Sequence, residues 1–299
     1  MMTLEIKGLT ISYGSHTVLE DISFSIPDGT IIGLVAPNGT GKTTLFNAII
    51  RFIPINQGEI RIDGRNFRNT AKDVRALHEQ ITFFPDQAEL YENFSGYEHI
   101  QMYRDIWNRE EQDIDGIIQR LNMEGYVRNK VSSYSLGMRQ RLCFAMMIAA
   151  DTKIMFMDEI MNGLDPINVE LVSRILQEVK VSGKIIIVAS HLLDNLDDYA
   201  DQIFFLNDRR LAYKYDRRKE TEKYIKATVP GAALHAMKPW PEGTIHLNGS
   251  RICIPAAELS GERKATLMER LMENGAESAT IGPLGTYEHY LRIYKGMES

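Results

Sequence analysis

Residues 30–49 read TIIGLVAPNGTGKTTLFNAI, and this stretch predicts the centre of the fold. Its first part, up to Val35, is a continuous apolar run of the kind found in buried strands. A glycine-rich loop and a segment of helical character follow, and this order is the setting of a phosphate-binding loop. The usual pattern starts with glycine, but Ala36 stands at that place. We expect alanine to be accepted if its φ is negative and its methyl group points away from the phosphates.

In a phosphate-binding loop, successive backbone N–H groups converge on the phosphates, and the following helix adds its positive end. Lys42 is expected to reach the β- and γ-phosphates, and Thr43 to offer its hydroxyl to Mg²⁺. Taken alone, a Gly-Lys-Thr sequence can occur by chance. The strand before it and the helix after it strengthen the prediction of nucleotide contacts from seven consecutive residues: Asn38, Gly39, Thr40, Gly41, Lys42, Thr43 and Thr44.

The rest of the first two thirds of the chain alternates between strand and helix patterns. Strand patterns occur throughout 4–35 and again at 153–158, 184–190 and 202–206. Helical patterns fill the region from about 90 to 150, where four residues at helical spacing form one apolar face: Ile114, Ile117, Ile118 and Leu121. This alternation predicts an α/β protein with a mainly parallel sheet and a helical insert.

A second candidate site element is IMFMDE at 154–159, an apolar strand that ends in two carboxylates. Asp158 is placed to give Mg²⁺ a hard oxygen ligand, and Glu159 to polarise a water molecule. A plainer interpretation is an acidic strand end that caps the next helix.

Composition bounds the class of protein. A chain of 299 residues predicts about two domains. Its net charge of −6 provides no global basic field for nucleic acid or anionic lipid. Cys143 and Cys253 lie in apolar stretches, which predicts buried free thiols in a reducing compartment. No signal peptide is recognisable, and the apolar runs are shorter than a membrane span. We therefore expect a soluble chain that reaches a membrane only through a partner.

The stretch 209–226 carries eight Lys or Arg residues with acidic residues between them. It predicts a domain boundary, with a phospholipid or nucleic-acid patch as the alternative. Beyond it, strand and helix patterns predict a small α+β domain. In its last helix, four side chains at helical spacing predict a core-facing stripe: Tyr287, Tyr290, Leu291 and Tyr294.

The stretch SSYSLGMRQRL at 132–142 gives the chain a family resemblance. Residues Tyr134 to Met138 read Tyr-Ser-Leu-Gly-Met, a variant of the signature of ABC transporters, and the chain resembles their ATP-binding subunits. The resemblance covers residues 4 to about 215, with the motifs in order. It implies an ABC-type P-loop ATPase core with an antiparallel β subdomain and a helical insert. The implied domains are an ATPase at 1–218, with its helical part at about 88–150, and an accessory domain at 219–299.

The resemblance also implies roles for individual residues. ATP and Mg²⁺ would be the ligands, with Tyr13 stacked on adenine. Glu159 would be the catalytic base, and His191 and Lys42 would contact the phosphates. Ser135 and Gly137 would face the nucleotide of a second ATPase subunit, identical or homologous, in a head-to-tail dimer, and Asp165 is the aspartate of the loop after the base. From the residues alone, Ser135 is equally a simple helix cap.

Besides Ala36, two departures from the family pattern lie in these motifs. Asp86 stands where the family has a glutamine that binds Mg²⁺ and senses the membrane partner, and a one-residue shift would give that role to Gln87. Ile160 and Met161 replace the common Pro-Thr after the base, with no evident chemical cost.

The function that we expect is ATP hydrolysis coupled to transport through a separate permease at the cytoplasmic face of the membrane. The signature variant and the C-terminal extension resemble subunits that export peptides, drugs or bacteriocins. Two alternatives are a soluble ABC ATPase acting on ribosomes or nucleic acid, and a regulatory subunit that binds ATP without useful hydrolysis. The acidic net charge and the single cassette disfavour the first, so no nucleic-acid partner is expected; intact Glu159 and His191 disfavour the second.

Overall fold

The computed structural model describes residues 2–161, 164–190 and 193–294. Contacts between Cα atoms divide the chain into two compact units, the first ending at Ala212 and the second beginning at Tyr213. The division falls inside the basic stretch 209–226, where the sequence predicts a boundary.

The first unit contains the following strands and helices, each numbered in chain order. The strands are β1 (Thr3–Tyr13), β2 (His16–Pro27), β3 (Thr30–Val35), β4 (Gln57–Ile62), β5 (Arg65–Asn66), β6 (Ile81–Phe83), β7 (Ile154–Asp158), β8 (Ile185–Ala189), β9 (Gln202–Asn207) and β10 (Arg210–Asp216), the last of which crosses the division. The helices are α1 (Lys42–Ile49), α2 (Ala71–His78), α3 (Gly96–Ile106), α4 (Ile114–Arg120), α5 (Leu136–Ala150), α6 (Pro166–Val181) and α7 (Leu193–Tyr199).

Two sheets make up the β structure of this unit. The first is antiparallel, in the order β2-β1-β4-β5, and its long strands alternate between buried and exposed residues because one face packs on the core. The second has the order β10-β9-β3-β8-β7-β6, and the strands from β9 to β6 in this order run parallel. Every residue of β3 and β8 is buried, which explains why all of them except Thr30 lack a polar side chain.

The parallel sheet positions the phosphate loop. Parallel strands place their carboxyl ends at one edge, which is where ligands bind in such sheets. At this edge β3 leads into the glycine loop and β7 ends at Asp158. Phe46 of α1 fixes the helix against the sheet, with its ring centroid 4.9 Å from that of Phe156 on β7.

The helical insert consists of α3, α4 and α5, and α3 packs on α5. Ser95 and Glu98 form a reciprocal cap at the start of α3. The apolar face predicted for residues 114–121 is confirmed, because all four of its side chains are at most 5% exposed. Within the described ranges, none of the helices combines the length and the apolar character needed to cross a lipid bilayer.

The second unit is an α+β structure. Its elements are β11 (Tyr224–Thr228), α8 (Gly231–Ala236), β12 (Ile245–Leu247), β13 (Arg251–Pro255), α9 (Gly261–Glu273), β14 (Ala279–Gly282) and α10 (Thr286–Ile293). The sheet is antiparallel in the order β12-β13-β11-β14. Leu271 of α9 packs into an apolar cluster on one face, and Leu291 of α10 belongs to a second cluster.

The predicted stripe on α10 is partly wrong. Leu291 and Tyr294 are buried, but Tyr287 is 39% exposed, and Glu288 is buried instead. The carboxylate of Glu288 is compensated, because it accepts hydrogen bonds from Arg251 at 2.6 Å and from the backbone N–H of Gly285 at 2.7 Å. Burial acts to raise the pKa of Glu288, but these hydrogen bonds and the nearby cations outweigh it and hold the pKa below its ordinary value.

Candidate nucleotide site

The loop after β3 folds around the ammonium group of Lys42. This side chain is 7% exposed, and its Nζ donates to the backbone oxygen of Ala36 at 2.6 Å and to that of Pro37 at 3.4 Å. The hydroxyl of Thr40 also donates to the Pro37 oxygen, at 2.6 Å, which closes the loop. Burial lowers the pKa of Lys42, while the charges of Asp158 and Glu159 oppose that change. The loop thus holds the Lys42 ammonium group against backbone oxygens, which a phosphate group could replace as hydrogen-bond acceptors.

Two glycines give the loop its shape. Gly39 has φ +78° and Gly41 has φ +103°, both in the left-handed region that other residues rarely adopt. A Cβ atom on Gly41 would also lie 3.0 Å from the side chain of Leu19. Gly41 precedes α1 and offers no side-chain cap, so the first N–H groups of the helix remain available to an anion.

Ala36 meets the condition set by the sequence. It is not among the described residues with positive φ, and its side chain belongs to the buried apolar core. Alanine in place of the usual glycine therefore causes no backbone strain.

Asp158 and Thr43 bring two oxygen donors together. Thr43 Oγ1 lies 3.3 Å from Asp158 Oδ2 and donates to it. Burial and the neighbouring charge of Glu159 raise the pKa of Asp158, and the Thr43 hydrogen bond and Lys42 act against them. The pair offers a hydroxyl and a carboxylate, the hard oxygen ligands that Mg²⁺ prefers.

Glu159 follows β7 in an unusual backbone conformation. Its φ is +52°, and its N–H donates to the backbone oxygen of Ala189 at 2.9 Å, at the end of β8. Left-handed conformations of non-glycine residues cost about 1–3 kcal/mol and concentrate at active sites.

Residues of the glycine loop and the two carboxylates line one pocket of about 210 Å³. Its walls are Asn38, Gly39, Gly41, Lys42, Thr43, Thr44, Asp158 and Glu159. The structure therefore joins the glycine loop and the acidic strand end, which are more than a hundred residues apart in sequence, around a single cavity. It can hold an anion against Lys42 and the loop while two carboxylates face it. A plain helix cap does not explain this arrangement.

Five other predicted residues do not line this pocket. Thr40 lies within the loop, where its hydroxyl donates to the Pro37 oxygen. Tyr13 is 54% exposed at the end of β1. Ser135 is exposed and caps α5 by accepting from the N–H of Met138, and Gly137 lies in the first turn of that helix. Asp165 caps α6 and accepts from the N–H of Asn168 at 3.0 Å. His191 lies outside the described residues.

The two candidates for the glutamine role also lie outside the pocket wall. Asp86 is exposed and uses Oδ1 to accept from the N–H of Ala88 at 2.9 Å, so it caps the short 3₁₀ turn Gln87–Glu89. The Oε1 atom of Gln87 is buried and accepts no hydrogen bond from any residue that the structure describes. Neither Asp86 nor Gln87 is part of the pocket wall to which Thr43 and Asp158 belong.

Sequence reasoning missed one buried polar residue beside the pocket. Gln140 of α5 is 4% exposed, and its Nε2 donates to the backbone oxygen of Ile160, the residue after Glu159. A glutamine within the largely apolar run 136–150 was the available signal, because a buried amide needs a partner.

Comparison with known proteins identifies the family. Residues 19–162 match the family model described as ABC transporter. The chain is 31% identical over 210 residues to the uncharacterized ABC transporter ATP-binding protein YhcH of Bacillus subtilis (strain 168), covering 70% of this chain and 68% of that protein. It is 29% identical over 222 residues to the lantibiotic transport ATP-binding protein SrtF of Streptococcus pyogenes, covering 74% and 94%. Further relatives are named for bacitracin and for manganese transport.

A solved structure of an ATP-binding subunit of an ABC transporter superposes with a TM-score of 0.66 at 25% identity, covering 72% of this chain and 90% of that chain. The chain belongs to the ABC transporter ATP-binding proteins. It is thus an ATPase of the family that hydrolyses ATP to drive transport, and the predicted fold class is confirmed.

Proposed function

We propose that this chain powers the export of an antimicrobial peptide or similar drug, and that its phosphate pocket is the catalytic site. The observation that carries the proposal is the joint lining of one pocket by the glycine loop, Lys42, Asp158 and Glu159. ATP binding would exchange the backbone partners of Lys42 Nζ for the β- and γ-phosphates. The N–H groups of residues 38–44 would complete the phosphate cradle.

Thr43 and Asp158 would hold Mg²⁺, since their oxygen atoms already lie 3.3 Å apart. The ion would supply positive charge to the β- and γ-phosphate oxygens. Asp86 or Gln87 would join this set only after a change in the 3₁₀ turn. The Oε1 atom of Gln87 is buried and accepts no hydrogen bond within the described ranges, which favours that residue.

Glu159 would position and deprotonate the water that attacks the γ-phosphate. Glu159 is the second carboxylate of the pocket wall, and Asp158, which accepts a hydrogen bond from Thr43, is assigned to Mg²⁺. General bases contribute about 10²- to 10⁴-fold to rates. His191 would contact the γ-phosphate, as the family resemblance implies.

A second ATPase subunit would complete the site. Ser135 and Gly137 lie at the exposed start of α5, where a helix N-terminus can face the γ-phosphate of nucleotide bound to another chain. Tyr13, which is also exposed, would stack on the adenine, and Asp165 would lie at the subunit interface. ATP would thus close a head-to-tail dimer, and we assign this activity to residues 1–218, with 219–299 as an accessory domain.

The permease would be a separate chain that holds the dimer at the cytoplasmic face of the membrane. For the substrate, the name of SrtF and the bacitracin relative support a peptide antibiotic. The manganese relative, also 29% identical, represents the competing class of substrate.

The catalytic assignment is tested with Glu159→Gln, which keeps the shape of the side chain. The variant should bind ATP as the wild type does and hydrolyse it about 10²- to 10⁴-fold more slowly. Glu170→Gln, at an exposed position of α6, is the matched control and should keep full activity. Undiminished hydrolysis by Glu159→Gln would sink the assignment.

Partner and substrate need different measurements. Tagged full-length chain, isolated from detergent-solubilised membranes of its own cells, should retain a membrane-spanning permease; recovery as a partnerless soluble chain with high ATPase activity would count against the transporter. Deletion of the chain should sensitise those cells to a peptide antibiotic in a panel that includes a lantibiotic and bacitracin. A defect confined to growth at low manganese would point to the competing class.

A further inference from the structure

The hydrogen bond from Gln140 to Ile160 connects the signature helix α5 to the catalytic turn. Gln140 lies within α5 and is 4% exposed. Its Nε2 atom donates to the backbone oxygen of Ile160. Ile160 and Met161 are themselves at most 2% exposed, so water has little access to this contact.

The turn that receives this bond is conformationally costly. Glu159 has φ +52°, and a side-chain-bearing residue keeps a left-handed conformation only where its surroundings impose it. On one side, the N–H of Glu159 is fixed to the Ala189 oxygen on β8. On the other side, one residue further along the chain, Gln140 fixes the carbonyl group of Ile160. The two bonds together hold the backbone on both sides of the Glu159 side chain.

Stability alone does not account for glutamine at this position. The Oε1 atom of Gln140 is buried, and no donor from the described ranges reaches it. A buried acceptor without a donor costs about 1–3 kcal/mol, which offsets what the Nε2 bond to the Ile160 oxygen contributes to stability; a methionine of the same length would remove both effects. The apolar neighbours along α5, such as Leu142 and Met146, are fully or almost fully buried. An apolar residue would therefore suit the packing at 140 at least as well.

We propose that Gln140 is a positioning residue for ATP hydrolysis: through the Ile160 carbonyl it holds Glu159 in the conformation that directs its carboxylate into the phosphate pocket. This inference rests on the proposed role of Glu159 as the base. Gln140 is not part of the pocket wall, so its effect falls on turnover and not on nucleotide binding.

The test is Gln140→Met in the full-length chain, with Leu142→Met as the matched control on the same helix. Gln140→Met should lower kcat by about 10- to 100-fold, as a small misplacement of a catalytic group does. KM and ATP affinity should stay at wild-type values. The midpoint of thermal unfolding should move little, because the cost relieved at Oε1 offsets the donor that the Ile160 oxygen loses. Leu142→Met should change none of them, because Leu and Met exchange with little loss.

A wild-type kcat in Gln140→Met would overturn the inference. So would a parallel loss of kcat, ATP affinity and thermal midpoint, since that pattern is the mark of a structural residue. Gln140→Leu, with a smaller and stiffer side chain, repeats the test if the methionine variant folds poorly, and the same outcomes apply.

The double variant with Glu159→Gln separates this inference from the proposed function. If Gln140 acts through Glu159, adding Gln140→Met to Glu159→Gln causes no further loss of kcat. A further loss equal to that of the single variant contradicts the inference. Full activity in Glu159→Gln alone refutes the proposed function, whereas full activity in Gln140→Met alone refutes only the positioning role.

Discussion

Replacing Lys42 with methionine removes the ammonium group from the phosphate loop and keeps a side chain of similar length. In the free chain this ammonium donates to the backbone oxygens of Ala36 and Pro37. Hydrogen bonds to charged groups contribute about 1.5–3 kcal/mol, which predicts that ATP binds Lys42→Met about 10- to 150-fold more weakly.

The fold should tolerate the change, because its two effects on stability oppose each other. Burial lowers the pKa of Lys42, which means that the charged ammonium is penalised in the folded chain and methionine relieves that penalty. The Ala36 oxygen loses its donor at a cost of about 1–3 kcal/mol, so the two effects largely offset each other. The midpoint of thermal unfolding should therefore move little while nucleotide affinity falls.

Titration calorimetry with Mg²⁺ and ATP measures the affinity, and scanning calorimetry measures the fold. Lys184→Met is the matched control: Lys184 also donates to a backbone oxygen, that of Thr152, and it pairs in addition with the Asp151 carboxylate, but it lies outside the pocket wall. Wild-type ATP affinity in Lys42→Met would refute the assignment of this loop to the phosphates. An equal loss of ATP affinity in Lys42→Met and Lys184→Met would show that the loss is not specific to the phosphate loop.

Two further predictions concern buried charges. Asp158→Asn should lower Mg²⁺-dependent hydrolysis by about 10- to 100-fold and raise the thermal midpoint at neutral pH. Because burial and Glu159 raise the folded-state pKa of Asp158, the gain in thermal midpoint is present above that pKa and should shrink as pH falls through it. A difference in midpoint between variant and wild type that stays unchanged in acid would contradict the pKa shift. Arg251→Met leaves the Glu288 carboxylate, whose side chain is 3% exposed, with a weaker cationic partner and should lower the free energy of unfolding of the second unit by about 3 kcal/mol in denaturant titrations. Arg75→Met, in an exposed ion pair, is its control and should leave stability unchanged.

The sequence was sufficient to predict those parts of the fold and the site whose position depends on local pattern and strand direction. The apolar run 30–35 predicts a buried strand, and parallel strands meet at one edge, so the glycine loop and Asp158 could be expected to converge. The acceptance of Ala36 could also be predicted, because a residue just before the bend of the phosphate loop needs only ordinary backbone angles.

The rest depended on contacts between residues that are distant in sequence. Periodicity on α10 favoured Tyr287 over Glu288, because nothing local indicates that Arg251 lies beside the carboxylate. The run 136–150 is apolar on most sides, so no periodicity indicates which neighbour Gln140 meets. Asp86 could be aligned with a family position, but its role as a cap at the 3₁₀ turn is visible only in the structure.

In the proposed head-to-tail dimer, each catalytic site combines Glu159 of one chain with Ser135 of another. Ser135→Ala and Glu159→Gln should each be inactive alone, and an equal mixture should regain hydrolysis, because a mixed dimer contains one site with both residues intact. Random pairing predicts recovery toward about a quarter of the wild-type rate. A mixture no more active than the sum of its two components would contradict the shared site.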